Sequence, residues 1–563
     1  MKFSEIPYSR ITNEQLHNTA EEFLKAFSAA ETAAEADSAI RRFYNEYDVL
    51  ETTVSIAYIR YHININDEFY KAEQEYYDSA MPAMMLEQQR IIDAVLASKF
   101  RSELEKSLGT LLFRKYENQR RLINEAVLPD MQEENQLISK YTEILGGAEI
   151  PFDGKTLNLT QLDPYRQSPD RAVRKAATEA YFKFFSDRQG EFDELYGKLV
   201  TLRASIAEKL GFADAVALGY AQMERFDYDE DMVAVYREEI KKYITPLVSE
   251  LKERQRRRIG VDKMYFYDNG YYFKSGNPIP IGTPDELVAS AQKMYRELSP
   301  ESGEFFDFMV ENELLDLLAK PGKMTGGFCT GLPQYKMPFI FSNFTGTKED
   351  VDVLTHEAGH ALQAYLSAEL FPEYRSPTYE SCEIHSMSME LITRPWMKSF
   401  FGADAEKFLY LQLDDILNFL PYGVLVDDFQ HFVYHNPAAT ADERAAEWRR
   451  LEREYMPWLD YDGDEYLDGG RRWQRQSHIY QRPFYYIDYT LAQVCAMQFF
   501  LRFNAGDENA WSDYLKLCRL GGSETFVSLV GAAGLKSPFV PGVLQDAAKR
   551  IKAILEQTDD SAL

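Results

Sequence analysis

The chain has 563 residues, 45% of them apolar, enough to bury a sizeable core without disulfide staples. Its 90 Asp and Glu outnumber 62 Lys and Arg, and the net charge of −28 argues against nucleic acid or anionic membranes as partners. The four cysteines, Cys329, Cys382, Cys495 and Cys518, stand far apart without CxxC spacing, which excludes a disulfide framework and a thiolate zinc site.

The first seven residues, Met1 to Pro7, carry no apolar h-region, so no signal peptide is expected. No stretch of about 18 apolar residues occurs, so no membrane span is expected either. A reducing, cytoplasmic location is the expectation. Leu16, Ala20, Phe23, Leu24 and Phe27 recur at helical spacing, with Thr12 and Gln15 placed for a capping box. Segments near 35–63 and 68–107 are long, charged and nearly free of Gly and Pro, which predicts long packed helices.

Gly146, Gly147, Pro151, Gly154 and Pro164 break the pattern, so a boundary is expected in 147–166. It would separate an N-terminal helical domain (1–165) from a second domain (166–563). Helical periodicity resumes over 171–185 and 191–210. Tyrosine-rich runs flank Asp268-Asn269-Gly270, which predicts a hairpin over 264–273. Two further strands are expected, at 326–330 and 339–344, just ahead of the most informative motif. The fold class is mainly α, with a small antiparallel sheet near that motif.

The motif is His356-Glu357-Ala358-Gly359-His360. On a helix the two imidazoles lie one turn apart on one face, where both can ligate one metal ion. Glu357 is then placed to act as a general base on a water. Composition predicts on the order of 0.01 such matches in a chain like this one. Gly359 lets another backbone come close. Catalytic zinc usually takes three protein ligands, and spacing leaves Glu380, Glu383, His385 and Glu390 all open as the third.

The segment around Glu383 and Glu390 resembles the thimet oligopeptidase and oligoendopeptidase F family of zinc peptidases, in its Pz-peptidase-like branch. Other stretches are similar too: Gly326-Gly327-Phe328-Cys329, Leu202 to Asp227, and His478 with Tyr485, Tyr486 and Tyr489. The resemblance spans roughly residues 170–545. It implies that Glu383, 27 residues after His356, is the third ligand and that Glu390 supports the site. It also implies that His478, Tyr486 and Tyr489 face the oxyanion of the reaction. Many family members carry a further His three residues after the second ligand, where this chain has Gln363. The implied fold is a large, elongated, multihelical one around a deep channel. The implied activity is zinc-dependent endopeptidase cleavage of short unstructured oligopeptides, with one Zn2+ per chain. Removal of terminal residues by a carboxypeptidase or dipeptidase, and a non-catalytic peptide-binding scaffold, are the alternatives.

Overall fold

The computed structural model describes residues 1–320, 322–324 and 326–563, apart from the side chain of Pro82. The elements that matter here, in chain order, are α1 (Asn13–Ser28), α2 (Ala33–Ile63), α3 (Glu68–Leu96), β1 (Ile150–Phe152), β2 (Lys155–Leu157), α4 (Arg171–Ser186) and α5 (Gln189–Leu210). They continue with β3 (Leu315–Leu318), β4 (Phe328–Leu332), β5 (Met337–Phe344), α6 (Glu349–Ser367), α7 (Tyr379–Ile392), α8 (Ala405–His435), α9 (Tyr486–Asn504) and α10 (Ala510–Leu520). The fold is mainly α. No helix among the described residues is long and apolar enough to cross a membrane.

By backbone proximity the chain divides into two compact units of three segments each. The first holds 1–121, 279–403 and 502–535; the second holds 122–278, 404–501 and 536–563. This division does not follow the expected split at 165. Residues 122–165 group with the second unit, where Tyr141 stacks on Tyr480 at 4.0 Å and its hydroxyl donates to Gln474 O at 3.0 Å.

In the first unit, α1 opens on the expected capping box: Thr12 Oγ1 accepts from Gln15 N, and Gln15 Oε1 accepts from Thr12 N at 2.8 Å. Thr32 and Glu35 form a second box at the start of α2. The helix expected over 68–107 stops at Leu96 and restarts at Arg101. Ser98 turns the chain between them, its hydroxyl accepting from Phe100 N and its carbonyl from Arg101 N. Phe23, Ile40, Phe43, Ile92, Leu112 and Phe113 fill the core under these helices. The unit's sheet has the order β3-β5-β4. β4 and β5 pair antiparallel, with Cys329 opposite Ile340, and β3 adds to β5 in parallel, so the sheet is mixed.

In the second unit, α4 and α5 form where periodicity placed them, and α5 ends on Gly211 in the left-handed region (φ 77°). The break at 147–166 contains the hairpin β1–β2, turned by Asp153 (φ 51°) and Gly154 (φ 70°). Positive φ at both positions is what a two-residue turn needs to follow the strand twist. The hairpin expected over 264–273 does not form. Phe266–Asp268 is a single 3₁₀ turn, and the Asp268 carboxylate is buried as an ion-pair hub. Arg171 reaches it at 2.7 Å and Arg174 at 2.9 Å. Gln255 Nε2 donates to the carbonyls of Asn269 (3.1 Å) and Tyr271 (2.9 Å), satisfying backbone that a strand partner would otherwise take.

Burial pushes the Asp268 carboxyl up, but hydrogen bonds from Arg171, the Tyr265 amide and Arg174 outweigh it and hold the group below its ordinary 3.8. The stability it contributes is therefore present above that value and lost as pH falls through the lower folded-state pKa. Asp268→Ala strands the buried Arg174 guanidinium and is expected to cost about 3–5 kcal/mol at neutral pH. The gap to wild type should shrink as pH falls below the ordinary carboxylate pKa. Thermal unfolding of both proteins across that range checks it; a gap that stays constant or widens in acid would remove Asp268 as the hub.

Candidate metal centre and catalytic residues

α6 starts beside three carboxylates, Glu349, Asp350 and Asp352, which complement the positive end of the helix dipole. Asp350 also accepts from the amides of Thr345 (2.9 Å) and Gly346 (2.8 Å), tying the end of β5 to the helix. Val351, Leu354, Ala358, Ala361 and Leu362 are buried. His356 and His360 therefore share another face, their ring centroids 5.0 Å apart.

α7 lies directly on α6 at Gly359. A Cβ there would stand 2.5 Å from His385 O and 2.7 Å from Ser386 Cα, both backbone atoms. Only glycine allows this approach. It brings Glu383 Oε2 to 3.4 Å from His356 Nε2 and 3.7 Å from His360 Nε2. One ligand atom from each of the three residues lies within 4.8 Å of the others, a set that could hold one metal ion. Ser386 Oγ donates to Glu383 Oε2 at 2.9 Å and fixes the carboxylate. Ser386 was not foreseen, although its i,i+3 spacing from Glu383 was a usable signal. On the far side of His356, Nδ1 meets Glu390 Oε1 at 2.6 Å. With Nδ1 donating to Glu390, Nε2 is the nitrogen that a metal would take in place of its proton.

Of the four residues that spacing left open, Glu383 joins the two histidines. His385 is fully buried, with its ring edge-on to Tyr514 and its carbonyl accepting from Tyr514 Oη at 2.9 Å. Glu380 is buried outside the converging set. Gln363 donates to Ser367 Oγ and Arg375 O, both at 2.8 Å, and bonds within the scaffold.

The electrostatics separate groups of the same chemical type. For Glu383, burial pushes the pKa up, but the hydrogen bond from His356 and the charges of both histidines hold it at about 2. Burial raises Glu357 to about 7; His356 opposes that shift, and Glu383 and Glu390 add to it. Glu357 Oε2 is buried and has no hydrogen-bond partner. Its Oε1 lies 3.8 Å from where a Gly327 Cβ would stand, so the carboxyl faces the entry to β4. Burial lowers His360 to about 4, whereas Glu383 and Glu390 outweigh burial at His356 and raise it.

The other expected residues form a second set, within the second unit. His478 sits on a one-turn helix, Ser477–Gln481, and Tyr486 and Tyr489 lie in the first turn of α9. The His478 ring is 4.8 Å from that of Tyr486 and 6.0 Å from that of Tyr489. Gln476 links its Nδ1 (2.8 Å) to the Tyr422 hydroxyl (2.8 Å). Burial, aided by Arg482, lowers His478 to about 4, so its imidazole is neutral near pH 7. Between His478 and the tyrosines the chain turns at Phe484, in the left-handed region (φ 65°). Its amide donates to Gln430 Oε1 at 3.0 Å and its carbonyl accepts from Arg225. Arg225 also pairs with Asp488 at 2.7 Å, both side chains fully buried, which anchors the start of α9.

Residues 3–123 match the Peptidase M3 N-terminal domain, and residues 302–548 match Peptidase family M3. A solved structure described as Pz peptidase A with an inhibitor is 50% identical, has a TM-score of 0.93 and covers 100% of both chains. The chain belongs to peptidase family M3. An oligoendopeptidase F homologue of Borreliella burgdorferi is 20% identical over 420 residues, 70% of this chain and 69% of the relative. The oligopeptidase PepF of Bacillus subtilis is 21% identical over 77% of this chain and 66% of its own length. The resemblance to the oligoendopeptidase F group is thereby borne out. As an M3 peptidase, the chain is an oligopeptidase acting on peptide bonds, in a metallopeptidase family.

Gly359→Ala is expected to force α6 and α7 apart, lowering stability by about 1–3 kcal/mol and weakening metal retention with it. Thermal melts alongside metal content after dialysis check this. A variant that matches wild type in both would show that the helices can shift at no cost to the site.

Proposed function

We propose that this M3 peptidase is a zinc-dependent endopeptidase of short unstructured oligopeptides. His356, His360 and Glu383 are its metal ligands, Glu357 its general base, and His478, Tyr486 and Tyr489 its groups facing the oxyanion. One observation carries the reading: three ligand atoms converge within 4.8 Å, and the adjoining carboxyl of Glu357 is buried with Oε2 unpartnered. Two nitrogens and one carboxylate oxygen suit zinc, with room left for a non-protein ligand. Zinc held there supplies Lewis-acid polarisation of the scissile carbonyl and acidifies water.

The remaining steps belong to the chain. Glu357 takes the proton of the attacking water at its carboxylate and returns it to the leaving amine. Its Oε2 is buried and makes no hydrogen bond, which leaves that oxygen open to take a proton. Glu390 holds His356 in one tautomer. Burial keeps the Tyr486 phenol above its ordinary pKa, so it remains a hydrogen-bond donor toward developing negative charge. β4 is an edge strand that pairs with β5 alone among the described residues, which suits addition of an extended peptide beside Glu357. The four cysteines are unpaired, which fits the reducing cytoplasm.

Internally quenched peptides of graded length, assayed with chelator and again after zinc is restored, test the reading. Internal cleavage of short peptides that chelator abolishes and zinc restores is the expected result; chelator-resistant cleavage would overturn it. In the same assay Glu357→Gln should retain zinc yet lose about 10²–10⁴-fold in kcat. Near-normal turnover by the zinc-loaded variant would remove Glu357 as the base.

Tyr486→Phe and Tyr489→Phe keep the ring and delete the hydroxyl. Loss of one oxyanion donor typically costs about 10²–10³-fold, in kcat more than in KM. Should both variants keep more than roughly a third of wild-type kcat, far above that loss, the tyrosines are packing residues and His478 is the remaining donor.

A further inference from the structure

Next to the His478–Tyr486 set, the positive charge is not balanced. Arg472 and Arg475 both lie against the ring of Tyr422, at 4.8 and 5.9 Å from its centroid. That ring is in turn 5.9 Å from Tyr486, edge to face. A third guanidinium, Arg166, sits 4.3 Å over Tyr181, whose phenol also interacts electrostatically with Arg475. Arg472 has Glu452 at 2.8 Å, and Arg166 has Asp163 at 2.9 Å. Around Arg475 the interacting groups are instead the phenols of Tyr422, Tyr181 and Tyr486. Its Nε is buried and makes no hydrogen bond.

Three guanidinium groups thus share two carboxylates. Arg166 and Arg475 repel each other, and both are half-buried, where like charges are screened less than in water. A chain with net charge −28 has acidic side chains to spare, yet among the described residues none makes an ion pair with Arg475. A carboxylate arriving from outside would relieve the repulsion and meet a planar fork of donors matched to its own geometry.

We propose that Arg475 is a substrate-specificity residue that holds a carboxylate of the bound peptide, next to Tyr422 and Tyr486. This rests on the peptidase reading above, in which Tyr486 faces the substrate. The ligand chemistry is a peptide carboxylate, either the free C-terminus or an Asp or Glu side chain. In a molecule so acidic overall, a local cation offsets the field that would otherwise repel anionic peptides.

The test uses wild type, Arg475→Gln and Arg475→Lys as zinc-loaded full-length chains. Each is assayed on one quenched peptide in four forms: C-terminal acid or amide, each with an internal Glu or Gln. Wild type should prefer a carboxylate in one of the two positions by about 10- to 100-fold, mostly through KM, as expected for a charge-assisted hydrogen bond. Which comparison shows the preference identifies the source. Arg475→Gln should lose the preference, its KM for the carboxylate peptide rising to that for the matching amide or Gln peptide. Arg475→Lys should retain part of it. No carboxylate preference in wild type, or an undiminished one in Arg475→Gln, overturns the proposal while chelator-sensitive cleavage still upholds the peptidase reading. Should no peptide be cleaved, that reading fails instead. Fluorescence anisotropy of the same labelled acids and amides then decides the proposal, carboxylate-dependent binding lost in Arg475→Gln supporting it and indifferent binding overturning it.

Discussion

Gly359 has no side chain, and α7 runs through the space where one would stand. The carbonyl of His385 and the Cα of Ser386 occupy it, at 2.5 and 2.7 Å from an ideal Cβ. The distances from Glu383 to both histidines follow from this approach. Two histidines on one helix face are only half a site; the third ligand has to come from another element at close range. Glu383 does so because its own helix touches the motif helix backbone to backbone. Tyr514, on α10, donates to the His385 carbonyl and supports the contact from a third side. Ser386 then fixes the carboxylate, and Glu390, two turns on from Glu383, orients His356.

The same packing sorts the titratable groups into roles. Glu383 and Glu357 are both buried, and burial alone would raise both. Glu383 receives hydrogen bonds and the charge of two imidazoles and falls to about 2. Glu357 receives no hydrogen bond at Oε2, feels the negative charge of two other carboxylates, and rises to about 7. One carboxylate is held toward its ionised form by its hydrogen bonds, while its neighbour is pushed toward the protonated form. Groups of one type pushed apart by environment in this way mark a site built for acid–base work.

Local signals in the sequence were legible wherever local physics decides the structure. The Thr12–Gln15 box, the motif helix, the strands at 328–332 and 337–344 and the need for glycine at 359 all fall in that class. The hairpins show the limit. Asp268-Asn269-Gly270 reads as a hairpin turn and is not one, whereas the hairpin that forms at Asp153-Gly154 lies in a stretch read only as a break. Arg171 and Arg174, nearly a hundred residues upstream, claim the Asp268 carboxylate, and no local window contains them. The third ligand was open for the same reason. Four residues at plausible spacing could not be separated until the crossing at Gly359 fixed which face of α7 meets the histidines.

Five arginines of the second unit share a pattern that spacing does not reveal. Arg174 meets Asp268, Arg203 meets Glu134, Arg225 meets Asp488, Arg237 meets Asp427 and Arg472 meets Glu452. A guanidinium cannot discharge itself by losing its proton, so taking it out of water demands a counter-charge or dense hydrogen bonding. These pairs tie helices distant in sequence to one another: Arg225 and Asp488 link the chain after α5 to the start of α9. Where a carboxylate is in place, the charge serves the scaffold. Arg475, like the buried Arg444, has no ion-pair partner among the described residues, and it lies where the aromatic rings of Tyr422, Tyr486 and His478 meet, with a second guanidinium close by. A scaffold role is poorly served by such an arrangement, since folding alone would have to hold two half-buried like charges together. The same arrangement is well suited to a ligand that brings its own negative charge, and peptides, the substrates of this family, carry one at every free C-terminus.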